Sequence, residues 1–188
     1  MMNSNIILSS AISSHQEKFL IGIRKLELSD INNTYCSWLN DPEVNRYLES
    51  RFTKWDIEKL TNYYMENNRE GLFLAILDLT EKKHIGNVKL STIDNNNSNI
   101  GLGIMIGDKS YWGKGIATEV IKIVTDYCFS QLNIYKITAG AYGENHASIN
   151  AFIKNGFTLE SETLGHFKTS TGWTSAVLLS KFNTHIKE

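Results

Sequence analysis

The sequence contains one proline, Pro42, in 188 residues, so no proline-rich linker divides it. That length suits one domain able to bury a real core. Only two cysteines occur, Cys36 and Cys128, far apart in the chain. Both fall on apolar helical faces, which favours core thiols over a disulfide or a metal pair. Neither charge sign dominates: nineteen basic against twenty acidic residues give a net charge of −1. A dedicated nucleic-acid binder would need a basic excess, so no nucleic-acid partner is expected. No apolar run reaches the ~18 residues of a membrane span, so no membrane insertion is expected. The five histidines (His15, His84, His146, His166, His185) show no ligand spacing with cysteine or carboxylate, and no metal site is expected. The start, MMNSNIILSSAISSHQEKF, has no basic n-region and only a short apolar patch. It reads as an N-terminal extension, ragged or docked, and not as a signal peptide. A cytoplasmic setting follows as the expectation.

Hydrophobic residues at 41% and charged residues at 21% give the balance of a globular protein, so the chain can be read for ordinary elements. FLIGIRKLEL, residues 19–28, alternates well enough for a first strand. Ser29-Asp30 signals a helix entry, and Ile31, Tyr35, Trp38 and Leu39 share one helical face. Asn40-Asp41-Pro42 breaks that helix. Thr53, with Asp56 three residues on, reads as the cap of a second helix whose inner face is Ile57, Leu60, Tyr64 and Met65. Strands follow at 72–79, 84–93 and 100–106, separated by turn sequences. A helix starts at Ile116, a strand runs over 134–142, and a helix over 145–155 ends at Gly156. Two strands, 157–164 and 173–182, close the chain around Ser170-Thr171-Gly172. The predicted order is βααβββαβαββ, an α+β fold with a mixed sheet and helices on its faces.

The chemistry-bearing stretch is NIGLGIMIGDKSYWGKGIAT, residues 99–118. It reads as a strand, a turn with Gly113, Lys114 and Gly115, and a helix start. A helix N-terminus carries unpaired N–H donors and partial positive charge. Two glycines let backbone approach a ligand closely. The physical prediction is a phosphate or pyrophosphate cradle; an ordinary tight strand-to-helix connection is the alternative.

YWGKGIATEVI followed by ENHASINAFIKNGF resembles the GNAT superfamily of N-acetyltransferases. The resemblance is closest to the branch containing ribosomal-protein N-terminal acetyltransferases and spermidine acetyltransferases, and covers residues 20–182. Residues 1–19 are then an extension and 183–188 a tail. The superfamily's Gln/Arg-x-x-Gly-x-Gly/Ala loop is matched as Trp112-x-x-Gly115-x-Ala117, with Trp112 departing from the pattern. Asn145, Ser148, Gly156 and Phe157 match the second motif. The resemblance implies a mostly antiparallel central sheet of about seven strands with helices on both faces.

It also implies acetyl-CoA as co-substrate. Its pyrophosphate would lie on the amides of Gly113, Lys114, Gly115, Ile116 and Ala117, with Thr118 adding a hydroxyl. Lys114 adds charge or is simply solvated; Trp112 supports the loop, lies beside the cofactor, or only packs. Ile104, Met105 and Ile106 are assigned to the pantetheine and acetyl group, on a strand that splays from its neighbour. Asn145 contacts CoA, caps its helix, or does both. Ser148 matches a serine that can hydrogen-bond the departing thiolate. Many relatives carry a tyrosine acid where this chain has Phe152, which is assigned to the cofactor side, and some carry a glutamate where it has Gly140. Neither role carries over. The base candidates are Glu49 and His166, with Tyr142 and Glu144 behind them; imidazole as a class titrates near neutrality.

The implied reaction is acetyl transfer to a primary amine of a small-molecule acceptor, by a monomer or homodimer. Acceptor choice lies in DPEVNRYLESRF (41–52) and LGHFKTSTGW (164–173). Their mixed charge suits a polar acceptor with a negative part, and the first stretch is similar to that of relatives thought to act on amino sugars of nucleotide-linked sugars. A protein N-terminus and a polyamine are the alternatives, and a non-catalytic acyl-CoA-binding module is the alternative of another class.

Overall fold

A computed structural model describes residues 8–14 and 17–186. Positions 1–7 and 15–16 of the expected extension, 187–188 of the expected tail, and with them His15, lie outside the described residues. The elements are β1 (Leu8–Ser14), β2 (Glu17–Lys25), α1 (Asn33–Asn40), α2 (Ile57–Glu70), β3 (Leu72–Asp78), β4 (Lys83–Leu90), β5 (Asn99–Ile106), α3 (Ile116–Ser130), β6 (Lys136–Tyr142), α4 (His146–Ile153), β7 (Thr158–Thr169) and β8 (Gly172–Phe182). Apart from β1, this is the order expected from the sequence.

The strands form one sheet in the order β1-β2-β3-β4-β5-β6-β8-β7, eight strands where about seven were expected. The additional strand is β1, antiparallel to β2 from Leu8 opposite Ile23 to Ser14 opposite Glu17. Every neighbouring pair is antiparallel except β5 and β6, which the α3 crossover makes parallel.

Both faces are covered. On one, Ile21, Ile23, Leu74, Ile76, Val88 and Ile137 of the sheet pack with Val120, Ile121 and Val124 of α3 and Phe152 of α4. On the other, Phe73 and Ala75 pack with Tyr35 and Trp38 of α1 and Leu60 and Tyr64 of α2. Cys36 and Cys128 are free thiols, one in each cluster.

Local chemistry sets the element starts. Asn32 caps α1 by accepting from the Tyr35 N–H at 3.1 Å. Asp56, not Thr53, caps α2, accepting from the Lys59 N–H at 2.8 Å. A carboxylate at the cap meets both the free N–H groups and the helix dipole, and so displaces the threonine three residues earlier. With that start, Leu60 and Tyr64 face inward, while Ile57 and Met65 stand 40% and 49% exposed. Gly107, after β5, allows a close approach: a Cβ there would stand 2.1 Å from the indole of Trp38. At the other end, Asn183 is buried, and its side-chain amide donates to the carbonyls of Phe129 and Ile134, both at 3.2 Å.

Candidate active site

β5 and β6 pair only where Asn99–Gly101 meet Lys136–Thr138. Beyond that point β5 stays with β4 through Leu102–Ile106, and β6 stays with β8 up to Tyr142. Among the described residues no ladder joins the two strands past Gly101 and Thr138, so the sheet opens there into a slot. Backbone groups along such an edge need partners, and an extended ligand can supply them as an added strand would. Ile104, Met105 and Ile106 are half-buried beside the slot. Ile104 and Ile106 lean towards the α3 core and Met105 towards the α1 core. Gly140 faces open space on the β6 side, where a Cβ would meet nothing within 4 Å.

The turn between β5 and α3 begins with a 3₁₀ segment, Lys109–Tyr111. Gly113 and Gly115 follow with φ of 73° and 78°, in the left-handed region that favours glycine. A Cβ on either would meet nothing within 4 Å, so the requirement is conformational rather than steric. Gly115 is the N-cap of α3 and supplies no side-chain cap. The N–H groups of Ile116, Ala117 and Thr118 therefore stand at an uncapped helix start, the arrangement that suits a phosphate. The Trp112 indole donates from Nε1 to the Ile106 carbonyl at 2.8 Å and is 42% exposed, so it braces the loop from outside the core. The Lys114 ammonium lies 5.1 Å from the Phe19 ring centroid and 6.0 Å from that of Tyr111.

Asn145 caps α4, its side chain accepting from the Ser148 N–H at 3.2 Å. Ser148 is half-buried in the first turn. Phe152 departs from expectation. It is 1% exposed and packs edge-to-face on Phe157 at 5.0 Å, so it belongs to the core and presents no surface to a cofactor. The sequence reading missed Asn155. Its amide donates to the carbonyls of Thr118 and Ala151, both at 2.8 Å, and so ties the start of α3 to the end of α4. Its one sequence signal is its place just before Gly156 in KNGF.

At the far end of β6 the acceptor stretches meet. The Tyr142 hydroxyl donates to Glu49 in the 3₁₀ turn Glu49–Phe52. Its ring stacks on Phe167 of β7 at 3.9 Å, with Tyr47 5.8 Å away. The Arg51 guanidinium lies 5.2 Å from the Tyr142 centroid and donates to the carbonyls of Arg46 and Lys168. Burial, then the bond to Glu49, pushes the Tyr142 phenol up to about 12. It therefore stays protonated at neutral pH, which removes it as a base. His166 does not sit in a turn. β7 continues through it to Thr169, and its exposed ring meets Phe167 edge-on at 4.6 Å. The structure thus brings Glu49 and His166 to the same aromatic group. Asp41 and Glu43 turn away to the Lys109 ammonium, at 2.8 and 2.5 Å.

The family model for the acetyltransferase (GNAT) domain matches residues 21–158. The N-acetyltransferase p20 of Bacillus licheniformis is 31% identical over 147 residues, 76% of this chain and 80% of that protein. The spermidine N(1)-acetyltransferase of Escherichia coli strain K12 is 28% identical over 173 residues, 90% of this chain and 88% of its own length. The spermidine N-acetyltransferase of Vibrio cholerae, solved with CoA and spermine, has the same fold, with a TM-score of 0.77 at 21% identity over 87% of this chain and 96% of that one. With the splayed strands and the glycine cradle, these matches show that the chain belongs to the GNAT acetyltransferase family, whose co-substrate is acetyl-CoA.

Proposed function

We propose that this protein acetylates the primary amine of a small polar acceptor that also carries a negative group, with an amino sugar of a nucleotide-linked sugar as the specific candidate. The charge balance at the end of β6 carries the reading. Asp41 and Glu43 are occupied by Lys109, while Glu49 accepts from Tyr142, over whose ring the Arg51 guanidinium lies. One carboxylate beside aromatic faces suits a single amine. The Arg51 guanidinium beside that aromatic group, and Arg46 over the Tyr47 ring, suit an acceptor anion and oppose a polycation.

In this reading acetyl-CoA supplies an activated thioester. The amides of Gly113 to Thr118 hold its pyrophosphate, and the free edge of β5 at Ile104 to Ile106 orients its arm. Backbone N–H groups there also polarise the thioester oxygen. Glu49 takes the amine proton, directly or through water, with Tyr142 donating to its carboxylate and orienting it. His166 lies one ring away, as the second candidate base. Ser148, at the start of α4, donates to the departing sulfur, and Asn145 holds that turn in place.

A polyamine acceptor is the second reading, favoured by the likeness to spermidine acetyltransferases over 90% of the chain. The discriminating experiment incubates the protein with acetyl-CoA and a panel of UDP- and dTDP-amino sugars, polyamines and N-terminal peptides, and follows thiol release. Release with a nucleotide-linked amino sugar and not with spermidine is the expected result. Release with spermidine alone refutes the anion-bearing acceptor. Tight CoA binding without release on any acceptor points to a binding module.

A further inference from the structure

Tyr111 is the last residue before the cradle, and its hydroxyl is held by a different part of the molecule. It is 8% exposed, and its hydroxyl donates to Asp78 Oδ2 at 3.0 Å. Asp78 ends β3 and is 2% exposed. Its other oxygen accepts from the N–H groups of Thr80 at 2.9 Å and Glu81 at 3.3 Å, so the tight turn between β3 and β4 fixes the carboxylate from behind. The same hairpin holds the other end of the 3₁₀ segment. The Lys83 ammonium meets Asp108 at 2.6 Å, and the Ile85 carbonyl accepts from the N–H groups of Gly107 at 2.9 Å and Asp108 at 3.1 Å.

Residues 107–111 are therefore clamped at both ends by the β3–β4 hairpin, on the side of β5 away from β6. Gly113 and Gly115 follow in left-handed conformations, with open space where a Cβ would stand, while Trp112 donates to Ile106 and Lys114 lies over Phe19 and Tyr111. Tyr111 is thus both the residue that leads into the loop and a surface on which Lys114 rests, so its anchoring bears on the shape of the loop before the ligand arrives. Holding it ready lowers the ordering cost of binding. A buried carboxylate with three donors is also costly to disturb, which makes it a firm anchor.

We infer that Asp78 is a positioning residue for acetyl-CoA binding, acting through the Tyr111 hydroxyl to preset the loop from Trp112 to Ala117. The inference rests on that loop being the pyrophosphate cradle. Asp78 itself touches no reacting atom.

The test is calorimetric titration of the full chain with CoA, alongside thermal melts and steady-state kinetics. Tyr111→Phe removes one hydroxyl and leaves Asp78 its two backbone donors. It is expected to weaken CoA binding about three- to ten-fold, to raise KM for acetyl-CoA alike, and to leave kcat at saturation unchanged. Asp78→Asn keeps hydrogen-bonding groups facing both the turn and the phenol, and is expected to retain affinity within about two-fold. Asp78→Ala should match or exceed the loss in Tyr111→Phe. Gly115→Val, which forces a branched side chain into a left-handed conformation, is the control for the cradle. If Gly115→Val weakens CoA binding and Tyr111→Phe does not, the positioning role is wrong while the cradle stands. If Gly115→Val has no effect, the cradle reading falls and takes this inference with it. A Tyr111→Phe protein that does not fold would make the contact purely structural, which also overturns it.

Discussion

The indole N–H of Trp112 donates to the carbonyl of Ile106 across 2.8 Å, joining the glycine loop to the end of the strand that lines the slot. The side chain that departs from the family's loop pattern thus links the two candidate contact regions for acetyl-CoA. Trp112→Phe keeps an aromatic ring and deletes that donor. It is expected to raise KM for acetyl-CoA about two- to ten-fold with kcat nearly unchanged, read from thiol release at saturating acceptor. A Trp112→Phe enzyme with unaltered KM would reduce the indole to surface packing.

How much of this was legible before the structure depends on the type of signal. The strand–loop–helix of the cradle was readable because glycines and helical periodicity are local. β1 was not. Leu8, Ser10 and Ile12 form its half-buried face, but serine and alanine are poor strand formers, and the alternation is lost in LSSAISS. Pairing with β2 and a 2.6 Å bond from the Ser10 hydroxyl to Glu119 of α3 supply what propensity does not. β7 was read too short because its register shifts between Thr163 and Phe167 break the alternation of an already exposed edge strand. The Glu49–Tyr142 contact spans 93 positions, and no local pattern announces it.

Ser148 sits one turn into α4, its N–H held by Asn145. If its hydroxyl supports the departing thiolate, Ser148→Ala removes an interaction made chiefly in the transition state. Turnover should then fall about ten- to a hundred-fold with CoA affinity unchanged, a split that single-turnover kinetics and CoA titration measure together. An equal turnover in the variant removes Ser148 from the mechanism.

Glu49 and Tyr142 should behave differently when each loses one group. Glu49→Gln keeps the shape and abolishes the base, so kcat/KM for the acceptor is expected to fall about a hundred-fold or more. Tyr142→Phe keeps the stacked ring on Phe167 and loses only the orienting hydroxyl, for a loss of about ten-fold or less. Both should bind CoA normally. If the two variants have equal and small effects, the pair is a tie between loop and strand, and His166 is left as the base candidate.

Phe152 gives a stability prediction in place of a cofactor contact. Its ring is 1% exposed against Phe157, Val120 and their neighbours in the α3 core. Phe152→Ala should cost about 3–5 kcal/mol, seen as a lower denaturant midpoint at constant slope. A loss confined to KM for acetyl-CoA, with stability intact, would return Phe152 to the cofactor side.

Acid should destabilise the fold through His84. The ring packs against Trp38 at 5.0 Å and Tyr35 at 6.0 Å, and its Nε2 bonds the Gly86 carbonyl and the Asn87 side-chain oxygen, both at 2.9 Å. Burial holds its pKa below the usual 6.5, with Arg24 adding to the depression and Asp30 opposing it. A depressed folded value means that the unfolded chain takes up a proton first as pH falls. The stability from keeping His84 neutral is complete above 6.5 and is lost downward through its folded pKa. Asp30 is also depressed, so it adds its own loss at lower pH, below its usual 3.8. Burial alone would raise Asp30; the bonds from Arg24 and the Glu27 N–H outweigh it. Thermal melts across this range should show Tm falling as pH drops below 6.5, in a step that is absent in His84→Asn. The slope with pH is the measure rather than the level, because the substitution also disturbs packing on Trp38. An identical slope in His84→Asn would assign the acid response to other groups.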